Sequence, residues 1–247
     1  MQSISFNFVL QKITFSKKKQ FIILSLALSF CFQLSAQTYK IDTSTITFEN
    51  VKRPCFVVKY DASPKTVKKA WDDYFKKTYD VKVKGIGFLT NKEVITATDI
   101  SLVAVSDKRM NMYANVVDAP GDRSELSYFM SFGYDFFIGP ENYPAEFTAM
   151  KKILKDFSIE FLTDFYYSEA SRMTREIKDL EKSTKNNNKD IKKNTKKARK
   201  ESKEVASGLA AKNISMEMEN DQNKRKIEEL AKAIEGIKIK QAGVTRN

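Results

Sequence analysis

Asp61-Ala62-Ser63-Pro64-Lys65-Thr66-Val67-Lys68-Lys69-Ala70-Trp71-Asp72-Asp73-Tyr74-Phe75 is the stretch from which the fold is read. Ser63 is a helix-capping residue type, and Pro64 brings the fixed φ that a first helical position accepts. From there Val67, Ala70, Trp71, Tyr74 and Phe75 form one apolar stripe at steps of three and four. Lys68, Lys69, Asp72, Asp73, Lys76 and Lys77 take the remaining directions. The spacing predicts an amphipathic helix lying on a sheet, with Cys55 to Tyr60 as a short apolar strand immediately before it.

Outward from the helix, four strands are expected. Val81 to Phe88 is the first, Leu89 to Glu93 a connection, and Val94 to Val105 a longer second. After the turn Ser106-Asp107-Lys108 a third strand alternates cleanly, with Met110, Met112, Ala114 and Val116 on one side and Arg109, Asn111, Tyr113 and Asn115 on the other. Pro120-Gly121 marks the next turn, and a fourth strand points Leu126, Tyr128, Met130 and Phe132 inward. A long helix begins near Pro144, with Phe147, Met150, Leu154, Phe157 and Phe161 on its buried face. The expected class is therefore α+β: an antiparallel sheet in the order β-α-β4-α, an α+β domain over 37–143, and a long helix with a hairpin or coiled coil over 144–247, whose first turns pack on the sheet. That order resembles the helix-grip arrangement of Bet v1-like lipid carriers and TATA-binding-protein-like folds, a resemblance of topology.

Past Phe165 a heptad-like seam runs through Ala170, Met173, Ile177 and Leu180, then thins to Thr184, Asn187, Ile191, Asn194, Ala198 and Val205. Ser207-Gly208 is the strongest turn signal before a second amphipathic helix carrying Ile227, Leu230, Ile234 and Ile237. Folding back there sets Val205 against Ile214, Ile191 against Ile227 and Thr184 against Ile234. It also brings Glu217, Glu219 and Asp221 near Arg199, Lys200 and Lys203. An extended helix pairing between chains, and hence a homo-oligomer, is the alternative. Asn186-Asn187-Asn188 is a candidate helix break.

The chain opens with Lys17-Lys18-Lys19, an apolar run from Phe21 to Phe32 and then Leu34-Ser35-Ala36-Gln37, the pattern of a secretory signal over 1–36 cleaved after Ala36. Phe30 stands where a small residue would precede an acylated Cys31, which argues against a lipid anchor there. Residues 1–36 hold four lysines and no acid, so cleavage lowers the formal charge of +12 to +8. The expected location is the periplasm or the exterior, with no spanning segment after cleavage. A basic exported chain seeks a protein partner or an anionic envelope polymer or lipid, and nucleic acid fits poorly. Ser63–Phe75, followed by Asn111-Met112-Tyr113-Ala114 in a strand and set behind Leu34-Ser35-Ala36-Gln37, resembles uncharacterised exported proteins of the Bacteroidetes that join a small α+β domain to a C-terminal coiled coil.

The sequence contains no histidine, which removes Ser-His-Asp and Cys-His nucleophile systems and ordinary zinc sites. Carboxylate-pair and Ser-Lys chemistry have no supporting motif, so a non-enzymatic role with no cofactor, metal or catalytic residue is expected. Three regions remain as binding candidates. From Lys182 to Lys203 ten lysines and arginines face only Asp190 and Glu201, giving a candidate anionic-partner face at Lys192, Lys193, Lys196, Lys197, Arg199 and Lys200. The apolar loop Gly133–Pro140 gives a candidate contact surface at Tyr134, Phe136, Phe137 and Ile138. A cavity for a hydrophobic small molecule or lipid, the alternative function, would be lined by Trp71, Tyr74, Met112, Tyr128, Met130, Phe147 and Phe157; core packing is the plainer reading of those residues.

Overall fold

The structure is a computed structural model and describes residues 39–85 and 94–244 of the chain. The expected signal over 1–36 lies outside the described residues. In chain order the elements are β1 (Asp42–Phe48), β2 (Val51–Tyr60), α1 (Pro64–Tyr79), β3 (Val94–Ser101), β4 (Arg109–Ala119), β5 (Arg123–Ser131), α2 (Pro144–Ala198) and α3 (Lys203–Val244). The five strands form one antiparallel sheet in the spatial order β1-β2-β5-β4-β3. The fold is α+β with a long C-terminal helical region, as expected, but the strands are allotted differently: two precede α1 and three follow it.

The strand ahead of β2 went unseen because its signal is a turn rather than an apolar run. Glu49 and Asn50 both take left-handed backbone, at φ 51° and 62°, between the paired residues Phe48 and Val51. Two such residues make the tight hairpin turn whose twist matches its strands, and Glu-Asn is not the usual Asn-Gly spelling. In the expected strand Val81 to Phe88, Lys84 makes an isolated bridge to Thr96, and Ile86 to Phe88 lie outside the described residues, as do Leu89 to Glu93. β3 stops at Ser101. A bulge between Ala97 and Ile100, with Asp99 at φ 55°, re-aims the chain, and Asn111 Oδ1 accepts the Asp99 N–H at 2.9 Å.

One face of the sheet carries the main core. Phe56, Val58, Tyr60, Leu126, Tyr128, Met130, Met112 and Ala114 are buried beneath α1 and the first half of α2. The Phe56 ring stacks on Phe147 at 4.1 Å, and Trp71 meets Tyr128 at 5.1 Å and Phe157 at 4.8 Å. Ser63 caps α1 by accepting the Thr66 N–H. Lys68, assigned above to the outer face of α1, is instead buried.

α2 continues unbroken through Asn186-Asn187-Asn188 and returns as α3 within the same chain. The connection falls at 199–202, not at Ser207-Gly208, and Gly208 lies inside α3. Lys196 and Lys197 in the last turn of α2 and Glu204 in the first turn of α3 complement the helix dipoles at this position. The described residues belong to one compact unit, Gln37–Asn247.

Candidate functional site

The hairpin is held in register by a ladder of amides. Asn223 Nδ2 donates to Thr184 Oγ1 at 3.3 Å, Asn187 Nδ2 to Asn220 Oδ1 at 3.1 Å, and Asn220 Nδ2 in turn to Asn188 Oδ1 at 3.1 Å. Asn194 Nδ2 donates to Asn213 Oδ1 at 3.0 Å, and Asn213 Nδ2 to Thr195 Oγ1 at 3.2 Å. Thr184 thus faces Asn223 rather than Ile234, a displacement of eleven residues from the expected pairing. Eleven residues are close to three helical turns, so both registers place the same stripe inward and apolar periodicity cannot choose between them. The amides choose, because the register turning at Ser207-Gly208 would set Asn187 near Ala231 and strand its side chain against a methyl group.

On α3 the inward positions are Ala206, Leu209, Asn213, Met216, Asn220, Asn223, Ile227, Leu230, Ile234 and Ile237, alternating steps of three and four. Val205 and Ile214, expected in the seam, are exposed instead. Asn213, Asn220 and Asn223 were missed as pairing residues because the stripe was phased on Ile214; the unbroken heptad running back from Leu230 is the signal that finds them. The register also moves the acids. Glu219 accepts a hydrogen bond from Ser183 Oγ at 2.9 Å, and the amide register leaves Glu217, Glu219 and Asp221 about 14 to 20 Å short of Arg199 along the hairpin.

The tip is therefore left basic. Lys192, Lys193, Lys196, Lys197, Arg199 and Lys200 are all exposed. Lys193 pairs with Asp190 at 3.0 Å, and among the described residues the other five make no side-chain ion pair. No family model, curated protein or solved structure matches the chain. Within α2, Tyr167–Ala198 carries the tip about 48 Å beyond Tyr166, the last buried residue of that helix, at 1.5 Å per residue.

The loop Gly133–Pro140 divides. Phe137 and Ile138 are buried, Phe137 with Cys55 and Phe129 on the sheet face opposite the main core, whereas Tyr134 and Phe136 are 81% and 64% exposed. The loop thus docks on its own sheet with half of its apolar residues, a correction to its reading as one contact surface. Arg53 clasps it: the guanidinium lies 4.1 Å from the Phe137 ring centroid and Nη2 is 3.2 Å from Asp135 Oδ1. Gly139 closes the dock, since a Cβ there would stand 2.8 Å from Pro54 Cγ.

The seven residues proposed to line a cavity fill space rather than enclose it. Trp71, Met112, Tyr128, Met130 and Phe147 pack in the main core. Tyr74 and Phe157 belong to the same core and also floor a groove of about 440 Å³ between α1 and α2, walled by Asp73, Lys77, Glu160 and Asp164. Lys77 Nζ donates to Glu160 Oε1 at 2.8 Å across this groove. Among the described residues no group of Cys, Asp and Glu is arranged to hold a metal ion, and no helix is long and apolar enough to cross a membrane.

Proposed function

We propose that this protein is a non-enzymatic exported binding module, in which the α+β domain anchors a basic helical hairpin that associates with an anionic partner of the envelope. The observation that carries this reading is the set of exposed, ion-pair-free cations Lys192, Lys196, Lys197, Arg199 and Lys200, held at the end of a register-locked hairpin. A solvated helix needs charge, but not charge of one sign in such excess over the acids beside it. The apolar residues suggested for a small-molecule carrier are already engaged with one another, which favours association at the surface over storage inside.

The test is capture from an envelope extract by the Gln37–Asn247 unit and by its Lys192→Glu/Lys196→Glu/Arg199→Glu variant. Envelope material retained by the first and lost by the second is the expected outcome, with capture weakening as salt is raised. Equal capture by both would refute the reading. Removing the hairpin is the poorer test, because Ile237 and Val244 of α3 pack into the main core.

A further inference from the structure

α2 and α3 leave a groove of about 800 Å³ along one face of the hairpin, walled by Lys185 and Lys192 on α2 and by Asp221 and Glu228 on α3. Heptad spacing carries both walls to the tip: Lys185, Lys192 and Arg199 recur at intervals of seven, and so do Glu228, Asp221 and Ile214. The amide register sets Lys185 level with Asp221, Lys192 level with Ile214 and Arg199 level with Ser207. The basic wall thus faces Asp221 and Glu228, with Lys224 between them, near the domain and an aliphatic side chain toward the tip. Ile214 and Met218, one turn apart on α3, are 58% and 61% exposed. From Lys189 to Met216 nine lysines and arginines stand against Asp190, Glu201 and Glu204.

Ile214, exposed beside Lys192, sets an aliphatic side chain among the cations of this end, which matches a surface that is anionic outside and apolar just beneath; Met218 stands between Glu217 and Glu219, on the acidic stretch nearer the domain. No aromatic residue follows Tyr167, so nucleobases and sugar rings find no stacking platform in the hairpin. A soluble polyanion would engage the lysines and leave Ile214 in water. Building on the reading of the hairpin as the associating surface, we propose that its tip docks on an anionic phospholipid bilayer. Lys192, Lys196 and Arg199 lie at the phosphates, and Ile214 enters the boundary between headgroups and acyl chains.

The experiment is co-sedimentation of the Gln37–Asn247 unit, which carries its own core, with three probes: vesicles of phosphatidylcholine, vesicles of phosphatidylcholine mixed with phosphatidylglycerol, and immobilised polyphosphate. Binding to the phosphatidylglycerol vesicles and not to pure phosphatidylcholine is expected. Lys192→Glu/Lys196→Glu/Arg199→Glu should lower that partitioning by about a hundredfold or more, at roughly tenfold or less per lost cation. Ile214→Ser should lower it by about tenfold while leaving polyphosphate binding unchanged. All four side chains are exposed, and unchanged thermal unfolding of both variants confirms that only the surface has been altered. Failure to bind phosphatidylglycerol vesicles, or full binding by Ile214→Ser, overturns the lipid assignment. If envelope capture still depends on the three cations in that case, the association reading survives and the partner is a polymer or protein; if it does not, both fall.

Discussion

Tyr60 and Ser158 meet in the main core with their hydroxyls 2.7 Å apart. Ser158 Oγ donates its one proton to the Leu154 carbonyl at 2.7 Å, so the phenol is the donor in the pair. Ser158→Ala then leaves a buried hydroxyl without a partner, whereas Tyr60→Phe removes donor and hydroxyl together. The expected losses are about 2 kcal/mol for the first and about 1 kcal/mol for the second, read by urea unfolding. Equal losses would contradict the assigned donor. Cys55, fully buried behind the sheet, has its thiol pushed from near 9 up to about 11, chiefly by burial and then by the Glu125 charge. Burial likewise raises the Tyr166 phenol to about 12, with Asp61 adding to the shift. A raised native pKa means that the folded chain holds the proton more tightly than the unfolded chain, so this stability is complete below pH 9 and declines as the pH rises. Urea midpoints should fall from pH 9 toward 11, and Cys55→Ala should flatten the first part of that fall. A variant that keeps the full slope would place its origin elsewhere.

The helices α2 and α3 are matched elements whose pairing is specified by polar groups. Asn220 alone bonds to Asn187 and Asn188, so Asn220→Ala should destabilise the hairpin by about 1 to 2 kcal/mol. Asn187→Leu with Asn220→Leu should act oppositely on stability and adversely on uniqueness. Circular dichroism should show a higher melting temperature, and light scattering should show dimers formed as hairpins pair in a second register or between chains. A strictly monomeric double variant with an unchanged melt would remove the ladder from this role. The periods of the elements were legible in the sequence: the stripes of α1 and α2, the buried sides of β4 and β5, and the seam from Ala170 to Ala198. The first strand was not, since a hairpin turn written Glu49-Asn50 carries little local signal. The basic tip was legible as composition, but its lack of carboxylate partners was not, because that depends on which residues lie across the hairpin.

Across the whole unit, α3 ends where the fold began. Val244 is fully buried in the main core, Ile237 packs against that core, and Lys240 Nζ lies 2.6 Å from Asp61 Oδ2 just ahead of α1. The hairpin and the domain should therefore unfold together. Val244→Asp places a charge in this core and should lower stability by about 3 kcal/mol or more, and Val244→Ala by about 1 to 2 kcal/mol. Both losses should be seen by Trp71 fluorescence as well as by helical circular dichroism. An undisturbed Trp71 transition in Val244→Asp would mean that the domain stands without its return helix. The amino-acid sequence by itself determined the α+β class, the inward stripes of α1 and α2, the buried sides of β4 and β5, the exclusion of imidazole chemistry and the positive charge of the hairpin. Tertiary structure alone decided the hairpin register, the docking of Phe137 and Ile138, the filling of the space beneath α1 and α2, and the return of Val244. Periodicity specifies an angle about an element's axis, whereas position along that axis is set by contacts between residues far apart in the chain.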